Sequence, residues 1–250
     1  MAKSRRRSIP IPMPQFVEGV LDSSLDRAMR VQRPGVVSYV NRARAKRGLT
    51  PADTIRELER IYLGTVTAIG AMAGASAAFP GVGTGASVAT AAFEIGAFAE
   101  ATALFGLAVA EVHGLRVDNL EQRRALVLAL LLGDEGVRIL EESARGARRS
   151  RAKWAQVLSQ HASEETVRRA NRRLAKHFVP RFGLQQGALL LGRAIPMGIG
   201  AGIGAAGNAA LARASIAAAR RVFGPPPERF PPQIVDAPPP DPSPGTVTLW

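Results

Sequence analysis

Glu94, Glu100 and Glu111 stand on a long apolar stretch, a setting in which a carboxylate could act as a buried acid or base. Glu94 and Glu100 are six residues apart, about 600° of helical rotation and therefore about 120° out of register, so they do not share a face as a paired acid and base would. They are read as a possible buried polar site, and no residue is assigned a catalytic role. His113, His161 and His177 are the three histidines, and none falls in an HExxH pattern or pairs with a carboxylate at ligand spacing, so no metal is expected. The chain has no cysteine, which excludes thiol nucleophiles, thiolate zinc sites and disulfides. Gly202-Ile-Gly204-Ala-Ala-Gly207 matches the letters of a dinucleotide loop, and Gly81-Val-Gly83-Thr-Gly85 nearly does, but neither follows a strand. The glycines read instead as helix-packing surfaces, and no cofactor is expected.

Charge gives a clearer signal. The 250 residues carry 33 Lys and Arg against 20 Asp and Glu, a formal net charge of +13. Residues 1–60 hold 13 basic and 6 acidic side chains and residues 121–180 hold 13 and 7, whereas residues 61–120 hold 1 and 4. An excess of this size favours an anionic partner, either a lipid headgroup surface or nucleic acid. Over residues 163–180, Val167, Ala170, Leu174 and Phe178 cluster on one side of a helical wheel and Arg168, Arg169, Arg172, Arg173 and Lys176 on the other. That basic side is the candidate contact with an anionic surface, supported by the clusters Arg5–Arg7, Arg42–Arg47 and Arg145–Lys153. The basic residues come with few aromatics and no zinc-finger or RNP motif, so nucleic acid ranks second to a membrane.

The elements that position these residues are helices. Apolar residues recur at helical spacing over Gln15–Arg30, and a short helix is expected over Gly35–Lys46, ended by Gly48. Thr50-Pro51 starts a helix running to about Phe79, because a hydroxyl can cap and proline suits the first turn. Pro80-Gly81-Val82-Gly83 breaks the chain, and a second long helix runs from about Thr84 to His113 with Gly114 as its cap. Phe79, Pro80, Gly81 and Gly83 are therefore the expected hairpin turn. Asp118 and Glu121 resemble the cap of the leucine-rich segment ending at Leu132, closed by Gly133. Helices follow over Asp134–Ala147 and Arg149–Gln160. Ser163 opens another that Pro180 is expected to end, and a Gly/Ala-rich region over Gly183–Ala212, broken at Pro196, leads into a helix over Met197–Phe223.

Two uncharged runs raise the question of a bilayer. Ile61–Phe93 is 33 residues long and Ala194–Ala212 is 19, but 16 and 12 of those residues are Gly or Ala. Glu94 and Glu100 sit close enough to the first run that a spanning hairpin needs them neutralised or turned toward protein. Gly70/Gly74, Gly198/Gly202 and Gly200/Gly204 fall at i, i+4 and predict flat strips where helix backbones approach closely.

The stretch GTVTAIGAMAGASAAFPGVGTGASVATAAFEIGAFAEATALFGLAVAEVHG, then RVDNLEQRRALVLALLLG, and later RAIPMGIGAGIGAAGNAALARASIAAARRVF, resemble the EcsC family over roughly Asp53–Phe223. The elements that carry the resemblance are the helix–Pro-Gly–helix unit with Glu94, the His113-Gly114 ending, where the family more usually has an aromatic before the glycine, and the Ile195-Pro196 to Asn208 run. The resemblance implies an all-helical, membrane-associated bacterial protein and supplies no reaction and no catalytic residues. The expected architecture is a compact all-α helical bundle with two Gly/Ala-rich hairpin regions over residues 14–223, between a basic Pro-rich arm at 1–13 and a Pro-rich tail at 224–250 expected to be disordered. The expected function is non-enzymatic: binding to anionic membrane lipids or a membrane protein, at the cytoplasmic inner face of the cell membrane. The alternatives are a nucleic-acid-binding helical protein and an enzyme built on Glu94 or Glu100.

Overall fold

Thr50 and Asp53 cap one another: the Asp53 amide donates to Thr50 Oγ1 at 3.1 Å, and the Thr50 amide donates back to the Asp53 carboxylate at 3.2 Å. Two amides that a helix start leaves without partners are thereby satisfied. In the computed structural model the described residues are Ser23 and residues 33–45, 48–76, 84–117, 119–144, 163–193 and 199–231. Among them lie seven helices and no strand: α1 (Arg33–Ala45), α2 (Pro51–Ser76), α3 (Thr84–Val112), α4 (Leu120–Leu132), α5 (Asp134–Ala144), α6 (Glu164–Arg193) and α7 (Ile199–Phe223). The all-α helical bundle expected from periodicity is the observed fold. The expected helix over Gln15–Arg30, apart from helical Ser23, and the one over Arg149–Gln160 fall outside the described residues.

At the centre is α4, in which all eight residues from Ala125 to Leu132 are buried. A helix apolar all round has to be enclosed, and α3, α5, α6 and α7 surround it. Its cap is Asn119, whose side chain accepts from the Glu121 amide at 2.8 Å, so the cap sits one residue beyond the Asp118 that the spacing suggested. Gly114 and Gly133 adopt φ of 71° and 63°, the left-handed conformation that lets the chain turn out of α3 and α4.

The most extensive contact is between α2 and α7, which run antiparallel. Glu59 meets Arg220, Tyr62 meets Ser215, and Gly70 meets Gly204 and Asn208. A Cβ on Gly70 would overlap the Gly204 carbonyl oxygen and lie 2.7 Å from Asn208 Nδ2. The predicted close approach is therefore present, but the strip on α7 is Gly204 followed by buried Asn208 and Ala212. Gly202 faces open space instead.

One expectation about helix bounds needs correction. Helix α6 continues through Pro180 to Arg193: a proline removes one intrahelical hydrogen bond, and the turns on either side hold the helix together across it. One helical segment among the described residues is long and apolar enough to cross a membrane, Phe93–Val112, which begins where the first uncharged run ends; 72% of its apolar window is buried within the protein. Past α7 the chain folds back onto the bundle, with Phe230 packed against the core and Pro231 against Gly114.

Candidate functional site

The N-terminal half of α6 has two faces. Val167, Ala170, Asn171, Leu174 and Phe178 are buried, while Arg168, Arg169, Arg172, Arg173 and Lys176 are all exposed. At about 100° per residue the five cations span an arc of about 140°, so the basic residues share one side. Asn171 anchors the inner side, its Nδ2 donating to the Glu121 carbonyl at 2.9 Å and to the Glu121 carboxylate at 2.6 Å. His177, at the edge, meets Glu135 of α5 at 2.9 Å.

Ion pairs trim the positive field. Arg168 pairs with Glu164 at 3.4 Å, and Glu165 takes both Arg169 at 3.8 Å and Arg172 at 3.2 Å. These acids also serve the helix, since carboxylates in a first turn oppose the positive end of its dipole. Two carboxylates against five cations leave about three uncompensated positive charges on this side. Elsewhere Arg42, Arg60, Arg213 and Arg221 are exposed, and Arg221 lies 3.1 Å from Asp134. The clusters Arg5–Arg7 and Arg145–Lys153 lie outside the described residues.

The two candidate carboxylates are not brought together. Glu94 is 1% exposed, within the protein, whereas Glu100 is exposed at the surface. The expected buried polar site therefore holds Glu94 and not Glu100: the 120° offset turns the second carboxylate to the surface, and there is no paired acid and base. The hairpin-turn residues Phe79, Pro80, Gly81 and Gly83 lie outside the described residues.

Two buried polar contacts escaped the sequence reading. Arg220 grips Glu59 with two hydrogen bonds, Nε to Oε1 at 2.7 Å and an Nη to Oε2 at 2.6 Å. The Glu59 side chain is 10% exposed and that of Arg220 is 66% exposed. The carboxylate raises the proton affinity of the guanidinium further. The pair edges a cleft of about 360 Å³ whose apolar lining includes Ile55, Phe105, Val109 and Phe223. His113 stands there too, its ring stacked on Phe223 at 5.4 Å and its Nδ1 2.9 Å from the Val109 carbonyl. An imidazole thus occupies an aromatic packing position.

The second contact is Tyr62. Its hydroxyl lies 2.8 Å from Thr102 Oγ1 and also hydrogen-bonds the Ser215 side chain, tying α2, α3 and α7 together. Its ring stacks on Phe105 at 4.6 Å. Burial pushes the phenol up from 10.0 to about 12, against the lowering effect of those two hydrogen bonds. Residues 161 apart in sequence, as Glu59 and Arg220 are, leave no local pattern by which to pair them.

Among the described residues no three His, Asp and Glu side chains cluster as ligands for a metal ion. No family model matches the chain, and no curated protein or solved structure is similar to it.

Proposed function

We propose that this is a non-enzymatic, membrane-associated protein of the EcsC kind, held against the anionic inner face of a bacterial cell membrane by the basic side of α6. The observation that carries the reading is the two-faced helix: five cations exposed on one side, with the opposite side packed into the bundle. Close to an anionic leaflet each Lys or Arg contributes about 1 kcal/mol. Glu164 and Glu165 offset two of the five, so the stripe supplies roughly 3 kcal/mol on that scale. Attachment by this side alone is weak, reversible and salt-sensitive, and the other basic clusters of the sequence add to it.

Cosedimentation with vesicles tests the reading. The protein should pellet with vesicles containing anionic lipid at low salt, release as salt passes about 0.1 M, and ignore zwitterionic vesicles. Equal binding to neutral vesicles, or none to anionic ones at low salt, would remove it. Retardation of DNA or RNA at a salt concentration where anionic vesicles are ignored would assign the stripe to nucleic acid instead.

A further inference from the structure

Pairings across α2, α3 and α7 fix which residues lie at the same height along the bundle. Between α2 and α7, Glu59 faces Arg220, Tyr62 faces Ser215, and Gly70 faces Gly204 and Asn208. Between α2 and α3, Tyr62 faces Thr102 and Phe105. These pairings place Met72 and Phe93 within about one helical turn of each other. They also place the exposed charges of Glu100 and Arg213 at one height, with exposed Arg60 about a turn farther from the end where α2 finishes and α7 begins.

Beyond that band of charge, α2 from Ile61 to Ser76 and α7 from Ile199 to Ala212 carry no Asp, Glu, Lys, Arg or His. The one carboxylate that α3 contributes there is Glu94, turned into the protein at 1% exposure. Twelve residues of α2 separate the band from Ser76, about 18 Å at 1.5 Å per residue. The hydrocarbon half of one leaflet is about 15 Å deep. Two of the large apolar side chains the bundle leaves exposed, Met72 at 58% and Phe93 at 63%, stand within this zone.

From this we infer that the end of the bundle bearing Met72 and Phe93 is a lipid-inserting surface, taking acyl chains as its partner, with Glu100, Arg213 and Arg60 marking the headgroup level. The inference rests on the membrane reading above and adds a depth and an orientation to it. On α2 and α7, a stretch without Asp, Glu, Lys, Arg or His ended by exposed charge at one height matches the polarity profile of a leaflet. His177 and Arg221 both meet the start of α5, so the basic side of α6 begins beyond the charge band, nearer the other end of the bundle. The bundle must therefore lean for the stripe and this end to meet one bilayer.

Because the chain has no cysteine, single labels are unambiguous. Nitroxides are placed at Met72→Cys, Phe93→Cys and Arg213→Cys on the full chain, and collisions with oxygen and with a water-soluble nickel complex are compared in buffer and on anionic vesicles. On vesicles the labels at 72 and 93 should become shielded from nickel and open to oxygen, and the label at 213 should read an interfacial depth. The paired substitution Met72→Glu with Phe93→Glu, its helicity checked by circular dichroism, should weaken vesicle partitioning by about a hundredfold for each carboxylate that must insert. Bound protein whose labels at 72 and 93 stay as open to nickel as in buffer overturns the insertion and leaves the surface attachment standing. Failure of the unmodified protein to float with vesicles removes both.

Discussion

Gly70 and Gly204 meet backbone to backbone where α2 crosses α7, with no space for a methyl group on either side. Their close approach holds the two longest-range partners of the bundle in register and seals Asn208 beside Gly70. Gly70→Ala or Gly204→Ala should destabilise the fold by about 1–3 kcal/mol, because the atoms that must yield are backbone and cannot rotate away. Gly64 and Gly202 provide the contrast: both are helical and a Cβ at either meets nothing within 4 Å. Alanine at those positions should stabilise by about 0.5–1 kcal/mol through lower chain entropy. Urea unfolding of the four variants would show opposite signs, and equal losses at all four would remove the close crossing as the cause.

Glu59 and Arg220 form a pair in which the carboxylate is enclosed and the guanidinium is mostly in water. Arg220→Ala leaves Glu59 without its two hydrogen bonds and should cost about 1–3 kcal/mol, toward the lower end because solvent screens so exposed a cation. Replacing both residues by methionine should cost less than the sum of the two single changes, since neither partner is then left charged and alone. A double-mutant cycle measured by denaturation reports the difference directly.

Tyr62 makes the fold sensitive to alkali. Burial raises the phenol from 10.0 to about 12, so the folded chain keeps a proton that the unfolded chain loses. The stabilisation is complete below pH 10 and declines as pH rises from 10 to about 12. Tyr62→Phe should cost about 0.5–1.5 kcal/mol at pH 8, because Thr102 and Ser215 retain hydrogen bonds to the carbonyls of Phe98 and Leu211. The gap between the two proteins should narrow by pH 11, and urea midpoints at the two pH values measure it.

Asp53 has the opposite sign. Hydrogen bonds from the Thr50 hydroxyl, from Arg56 and from the Thr50 amide lower its carboxyl from 3.8 to about 2. Its contribution to the start of α2 is present above pH 3.8 and is lost as pH falls to about 2. Hydrogen exchange in the first turn of α2 should accelerate over that window, and Asp53→Asn should exchange rapidly throughout it with no such dependence.

Local chemistry made much of this fold legible. Thr50-Pro51 begins α2, Gly114 turns the chain out of α3, and the alternation of basic and apolar residues in α6 gives the two faces seen around Leu174. The 120° offset of Glu94 and Glu100 excluded a shared face, but it did not say which way either points: both were expected in a buried polar site, and only Glu94 is buried. Pro180 misled because the rule that proline ends a helix describes isolated segments, and a helix held by its neighbours tolerates one lost bond. Gly202 misled because glycine spacing names a strip without saying which row meets the partner, and that depends on the rotation of α7 about its axis. The Glu59–Arg220 and Tyr62–Thr102 contacts were invisible because tertiary pairing alone sets them. The charge band of Glu100 and Arg213 emerges only once the register of three helices is known.

Flotation of the full chain with anionic vesicles at low salt, set beside a variant carrying Arg172→Glu, Arg173→Glu and Lys176→Glu, tests the account most directly. These three side chains are exposed, so the variant should keep its helicity and unfolding midpoint. The native protein should float and the variant should remain at the bottom of the gradient, since at about 1 kcal/mol per charge the reversal turns attraction into repulsion. Equal flotation of the two would contradict attachment through this side of α6.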